Sequence, residues 1–95
     1  MRVKWTRPAS TDLKHLQYHI AQDNPHAAFR VASLIREQTG RLSEHPYSGR
    51  PGRVEGTREL VVSGTPYVVA YRIREGNVDI LAVIHGARKW PEAFE

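Results

Sequence analysis

At 95 residues and 10.8 kDa, residues 1–95 are expected to form one small domain with a modest core, which excludes a two-domain organisation. Hydrophobic residues at 40%, charged residues at 25% and a mean hydropathy of -0.52 exclude a disordered or membrane-embedded chain. Zero cysteines exclude a disulfide framework, a cysteine-ligated metal and a thiol nucleophile, and they fit a cytoplasmic location. No apolar run approaches the length of a membrane span or a signal-peptide core, so neither export nor a membrane partner is expected. Fourteen Lys and Arg against ten Asp and Glu leave a net charge of +4, which favours acidic partners. Eleven of those bases are arginine, the side chain that grips carboxylate and phosphate in two-pronged fashion.

Val3 and Trp5 alternate with Arg2, Lys4 and Thr6, which predicts a short strand broken by Arg7-Pro8. From Pro8 to Gln22, the residues Ala9, Leu13, Leu16 and Ile20 recur on one helical face. Asp23-Asn24-Pro25 ends that helix and starts another, with Asn24 as cap and Pro25 in the first turn. The second helix is predicted over Pro25 to Ser43, with Ala28, Val31, Ile35 and Leu42 inside and Gly40 weakening its last turn.

Glu44 to Gly56 is rich in proline and glycine and reads as a loop without a strand. Three strands follow, Thr57 to Ser63, Tyr67 to Arg74 and Val78 to His85, separated by the turns Gly64-Thr65-Pro66 and Glu75-Gly76-Asn77. In the middle strand Tyr67, Val69, Tyr71 and Ile73 share one face, and Val68, Ala70, Arg72 and Arg74 the other. In the last strand, strict alternation puts Val78, Ile80, Ala82 and Ile84 on one side and Leu81 and Val83 on the other, as in a strand covered on both faces. The fold class is therefore α+β, in the order β-α-α-β-β-β, with a helical hairpin packed on a small antiparallel sheet.

No cofactor motif and no nucleophile elbow is present. His15 and His19 stand four apart on the first helix, but the sequence supplies no convincing third ligand, so no metal is expected and both read as structural or solvent-facing. What remains is a concentration of bases: Arg50 and Arg53 in the loop, Arg58, Arg72 and Arg74 on strands, then His85, Arg88 and Lys89. An RNA-cleaving face needs Arg58, Arg72 and Arg88 on one side of the sheet, with His85 to move the proton. A general nucleic-acid-binding domain would use the same charge without a neutralising partner.

Several segments together make the chain recognisable. These are the helix break at Asn24-Pro25, Pro46-Tyr47-Ser48-Gly49-Arg50, Thr57-Arg58-Glu59-Leu60, Tyr67-Val68-Val69-Ala70-Tyr71-Arg72-Ile73 and His85-Gly86-Ala87-Arg88-Lys89-Trp90-Pro91. In this order they resemble the ParE/RelE superfamily of bacterial type II toxins, across essentially the whole chain. The resemblance implies a growth-inhibiting toxin neutralised by a cognate protein antitoxin, without a cofactor.

It also implies one of two activities. RelE-like members cut mRNA on the ribosome; ParE-like members poison DNA gyrase and stall replication. Many of the nucleases carry an arginine directly after the aromatic that opens the third strand, where this chain has Val68 after Tyr67. Their C-terminal tyrosine falls by spacing on Phe94, which keeps a ring and loses the hydroxyl. Arg58 and Arg88 match two remaining basic positions. The resemblance is thus closer to the ParE-like branch, with gyrase as target. The ribosome with its mRNA is the alternative, in which Arg58, His85 and Arg88 would be catalytic. Residues expected to touch the target or the antitoxin are Arg58, Arg72, Arg88, Lys89, Trp90 and Phe94. The antitoxin is expected to be acidic or amphipathic and to bury Trp90 or the Tyr18 and His19 side of the first helix.

Overall fold

A computed structural model of the protein describes residues 1–86, 90, 91 and 94. The elements are β1 (Arg2–Trp5), α1 (Arg7–Ala21), α2 (Pro25–Gly40), a 3₁₀ turn (Arg41–Ser43), β2 (Arg50–Pro51), β3 (Arg58–Val61), β4 (Tyr67–Arg74) and β5 (Asn77–His85). The strands make one mixed sheet in the order β1-β5-β4-β3-β2. The expected α+β architecture of helical hairpin and meander is present, and β1 adds a parallel edge to it. Arg2 lies opposite Asn77 and Trp5 opposite Ile80.

Local chemistry sets the helix boundaries. The Thr6 hydroxyl accepts from the Ala9 N–H at 3.4 Å, and Pro8 occupies the first turn of α1. Asn24 Oδ1 accepts from the Ala27 N–H at 3.1 Å, so the predicted cap of α2 is made. The α-helical part of α2 stops at Gly40 rather than at Ser43, and the chain tightens into the 3₁₀ turn that buries Leu42. None of the described helices is long and apolar enough to cross a membrane.

Leu13 and Leu16 of α1 and Val31 and Ile35 of α2 pack on Val69, Tyr71, Val78 and Ile80 of the sheet. A second apolar cluster covers the opposite face, where Trp90, Val54 and Phe94 meet Ala70, Leu81, Ala82 and Ile84. The sheet is therefore sandwiched, with helices on one side and the C-terminal residues on the other.

Two features depart from the sequence reading. The first is in the loop after the helices, which contributes β2: Arg50 pairs with Glu59 and Pro51 with Arg58. Tyr71 explains why, because its buried hydroxyl donates to the Pro46 carbonyl at 2.7 Å and accepts from the Gly49 N–H at 2.9 Å. That anchorage lays the chain along β3. Gly49 is needed there, since a Cβ would stand 2.5 Å from the Tyr71 hydroxyl and 2.8 Å from the Glu59 carbonyl.

The second departure is a bulge. Ala70 opposes Ala82 while Tyr71 opposes Ile80, so Leu81 is an extra residue on β5. Strict alternation fails at that point. Val78, Ile80 and Val83 face the helices, whereas Leu81, Ala82 and Ile84 join the opposite cluster.

Candidate functional site

The bulge and the end of β1 together shape a concavity beside α1. β1 stops pairing at Trp5, and Thr6 turns the chain into α1, its N–H (3.1 Å) and hydroxyl (2.7 Å) both donating to the Ile80 carbonyl. Beyond Ile80, β5 runs beside α1 in place of a strand. Asp12 reaches across, and its Oδ2 accepts from the Val83 N–H at 3.0 Å. Burial raises the Asp12 carboxyl above its ordinary value of 3.8, against the opposing pull of the Val83 hydrogen bond and of His15.

Between α1 and the β4–β5 end lies a groove of about 630 Å³. Leu16, Ile20, Pro66, Val83 and Ile84 give it an apolar lining, with Asp12, His15, His19, Tyr67 and His85 as polar groups. Tyr67 and His85 meet edge to face, their ring centroids 5.5 Å apart. His15 and His19, read from sequence as structural or solvent-facing, are both exposed and stand on this wall with His85. Among the described residues no group of three or more His, Asp or Glu is placed to hold a metal ion.

The bases expected to act together are distributed otherwise. Arg58 opposes Tyr71 on the helix side of the sheet. Its Nε donates to the Gly49 carbonyl at 3.0 Å, its Nη2 donates to the Tyr47 carbonyl at 3.1 Å, and its guanidinium lies 5.4 Å from the Tyr47 ring centroid. Arg72, the next residue after Tyr71, points to the opposite face and pairs with Asp79 at 3.6 Å. The single-faced arrangement of Arg58 and Arg72 considered above therefore does not form. His85 opposes Tyr67, four residues along β4 from the Arg58–Tyr71 pair.

Val68 is buried beside Val61, so its position presents neither a cation nor a proton-transfer group. Trp90 is 6% exposed and packs edge to face on Phe94 with centroids 6.0 Å apart. In this state the Trp90 ring covers the sheet and is not an exposed contact. Arg88 and Lys89 lie outside the described residues. From sequence Asp12 was only an acid near His15 and His19 that completed no metal site, and the signal for its contact with β5 was slight: one acid on the otherwise basic and neutral first helix.

Comparison with known proteins agrees with this fold. The family model described as the ParE toxin of the type II toxin-antitoxin system parDE matches residues 3–90. The protein Y4kP of Sinorhizobium fredii is 43% identical over 93 residues, covering 98% of this chain and 96% of that one. Toxin RelE2 of Caulobacter vibrioides is 38% identical over 87 residues, covering 92% and 97%. A solved chain of the chromosomal ParDE toxin-antitoxin system from P. aeruginosa superposes with a TM-score of 0.80 at 30% identity, covering 90% of this chain and 95% of that chain. The family implies a cognate antitoxin as partner. With a helical hairpin on a five-stranded mixed sheet and a family match spanning nearly its full length, the chain belongs to the ParE toxin family of type II toxin–antitoxin systems.

Proposed function

We propose that this toxin arrests growth by poisoning DNA gyrase, so that cleaved DNA accumulates and replication stalls. The observation that carries this reading is the dispersal, among the described residues, of the groups RNA cleavage would need. Arg58 is tied to the Tyr47 and Gly49 carbonyls on one face, Arg72 pairs with Asp79 on the other, and His85 opposes Tyr67, four residues along β4 from Tyr71. Cleavage through a ribose 2′-hydroxyl wants a cation and a proton-transfer group converging on one phosphate. Val68 and Phe94, aliphatic and hydroxyl-free where the nucleases carry an arginine and a tyrosine, support the same conclusion. In this reading the bases serve protein contact.

Two assays on the purified toxin separate the activities. Gyrase supercoiling should fall and cleaved DNA should accumulate as toxin is added, with mRNA on translating ribosomes left intact. Codon-phased mRNA cuts with supercoiling untouched would replace this reading with the ribonuclease. In that case Arg88→Ala should lower cleavage by roughly 100- to 1000-fold, the usual cost of one transition-state donor.

A further inference from the structure

The loop between the 3₁₀ turn and β2 is held along its whole backbone. The Glu44 and His45 N–H groups donate to the Arg41 carbonyl at 3.1 and 3.0 Å, and the Ser48 N–H donates to the His45 carbonyl at 3.1 Å. From below, the Tyr71 hydroxyl donates to the Pro46 carbonyl and accepts from the Gly49 N–H, while the Arg58 guanidinium donates to the Tyr47 and Gly49 carbonyls. A loop fixed this firmly nevertheless leaves its large ring in water. Tyr47 is 66% exposed, with the Arg58 guanidinium 5.4 Å from the ring centroid. An exposed ring forgoes the stabilisation that burial supplies. The fold thus commits a fully buried tyrosine and a charged arginine to a loop whose aromatic side chain adds nothing to the core.

We propose that residues 46–49 form the target-contact loop of the toxin, a preformed mount that presents Tyr47 to an apolar socket on gyrase, with Arg50 and Arg53 meeting carboxylates at the socket's rim. This surface rests on the gyrase reading above and specifies where the target is gripped. Three observations define the partner. β2 ends the strand order, so the loop stands at an edge of the sheet open to a large protein. The backbone is already ordered, so docking Tyr47 costs little conformational entropy, the condition under which a tyrosine anchors an interface. The surrounding charge is mixed. Arg50 keeps its Nε on the buried Glu59 carboxylate at 2.6 Å yet leaves 64% of its side chain exposed, and Arg53 beyond β2 is exposed as well. Glu44 and Glu55, also exposed, lie on either side of this segment in the chain. Carboxylates so placed repel a polyanion, whereas an aromatic anchor with a rim of both charges suits a protein surface.

The test uses the full-length toxin with two readouts, inhibition of gyrase supercoiling and affinity for the purified antitoxin. Tyr47→Ala should raise the toxin concentration needed for half-inhibition roughly 10- to 30-fold, the loss expected of an anchor residue. Tyr47→Phe keeps the ring and should stay within about twofold, as should Phe29→Ala, which removes a 75% exposed ring from α2. Arg53→Glu should weaken inhibition roughly tenfold by setting like charges at the rim. Antitoxin affinity should hold within about twofold for Tyr47→Ala, showing that the fold is intact. Inhibition by the parent protein that Tyr47→Ala leaves unchanged would overturn the proposal and spare the gyrase reading. Equal losses of gyrase inhibition and antitoxin binding would overturn it too, since the loop would then act only as scaffold. A parent protein without effect on gyrase would overturn both. Binding of a single-stranded RNA oligonucleotide that Tyr47→Ala abolishes, with gyrase inhibition untouched, would reassign the loop to nucleic acid.

Discussion

Asp12 holds the Val83 N–H at a cost to itself, because the groove wall removes water from a carboxylate. Its folded pKa is raised above 3.8, so on raising the pH the unfolded chain loses its proton first. Stability from this group is fullest below 3.8 and declines as the pH climbs through the folded value. Asp12→Asn retains an acceptor and cannot ionise. Its stability relative to the parent protein should therefore increase from about pH 3 to neutrality, as urea unfolding at the two conditions would measure. A constant difference across that range would show that desolvation does not govern this carboxylate.

At the level of elements, the bulge in β5 makes a prediction that regular strands do not. Leu81 is the supernumerary residue, so deleting it restores plain alternation with Ile80, Ala82, Val83 and Ile84 on their present sides. The variant should fold, losing roughly 2–4 kcal/mol for the missing buried leucine. Deleting Asp79, a regular position, should abolish folding, since it throws Val78 out of phase with both Ile73 and Val3. Circular dichroism and urea titration distinguish the outcomes.

The bulge also marks a limit of what was legible. The apolar faces of both helices, the Asn24 cap and the three meander strands follow from periodicity and capping chemistry within short windows. Leu81-Ala82-Val83-Ile84 is uniformly apolar, and a run without polar punctuation carries no mark of an extra residue. The five residues of Val3 to Arg7 likewise predict a strand and its end without naming a neighbour, so the parallel pairing with β5 was hidden. The placement of the bases was hidden for the same reason. That Arg72 opposes the Tyr71 face could be read from β4 alone, but assigning Arg58 to that face needed the register of β3 on β4. The groove drew together His15 and His85 from opposite ends of the chain, a proximity that composition does not encode.

Over the whole molecule, burial is divided between two clusters of unequal depth. The helix side holds Tyr71, Ile35, Leu42 and Ile80 fully buried, whereas the far side rests largely on Trp90 over two alanines and Leu81. Trp90→Ala should therefore cost about 3 kcal/mol by exposing that thin layer. Guanidinium unfolding would measure the loss, and the helix-side core should keep its secondary structure in the folded baseline. A change below about 0.5 kcal/mol, the ordinary level for a surface site, would show that the tail contributes nothing to the sheet.

The sheet closes across almost the entire chain, for Thr6 and Ile80, joined by a hydrogen bond, are 74 residues apart. At the usual pace of synthesis, about 5–20 residues per second, the first strand waits roughly 4–15 s before its partner exists. Until then α1 has no β5 to lie against, and neither face of the sheet is complete. Any activity that needs the finished sheet therefore waits until β5 has been made, whatever has folded before it.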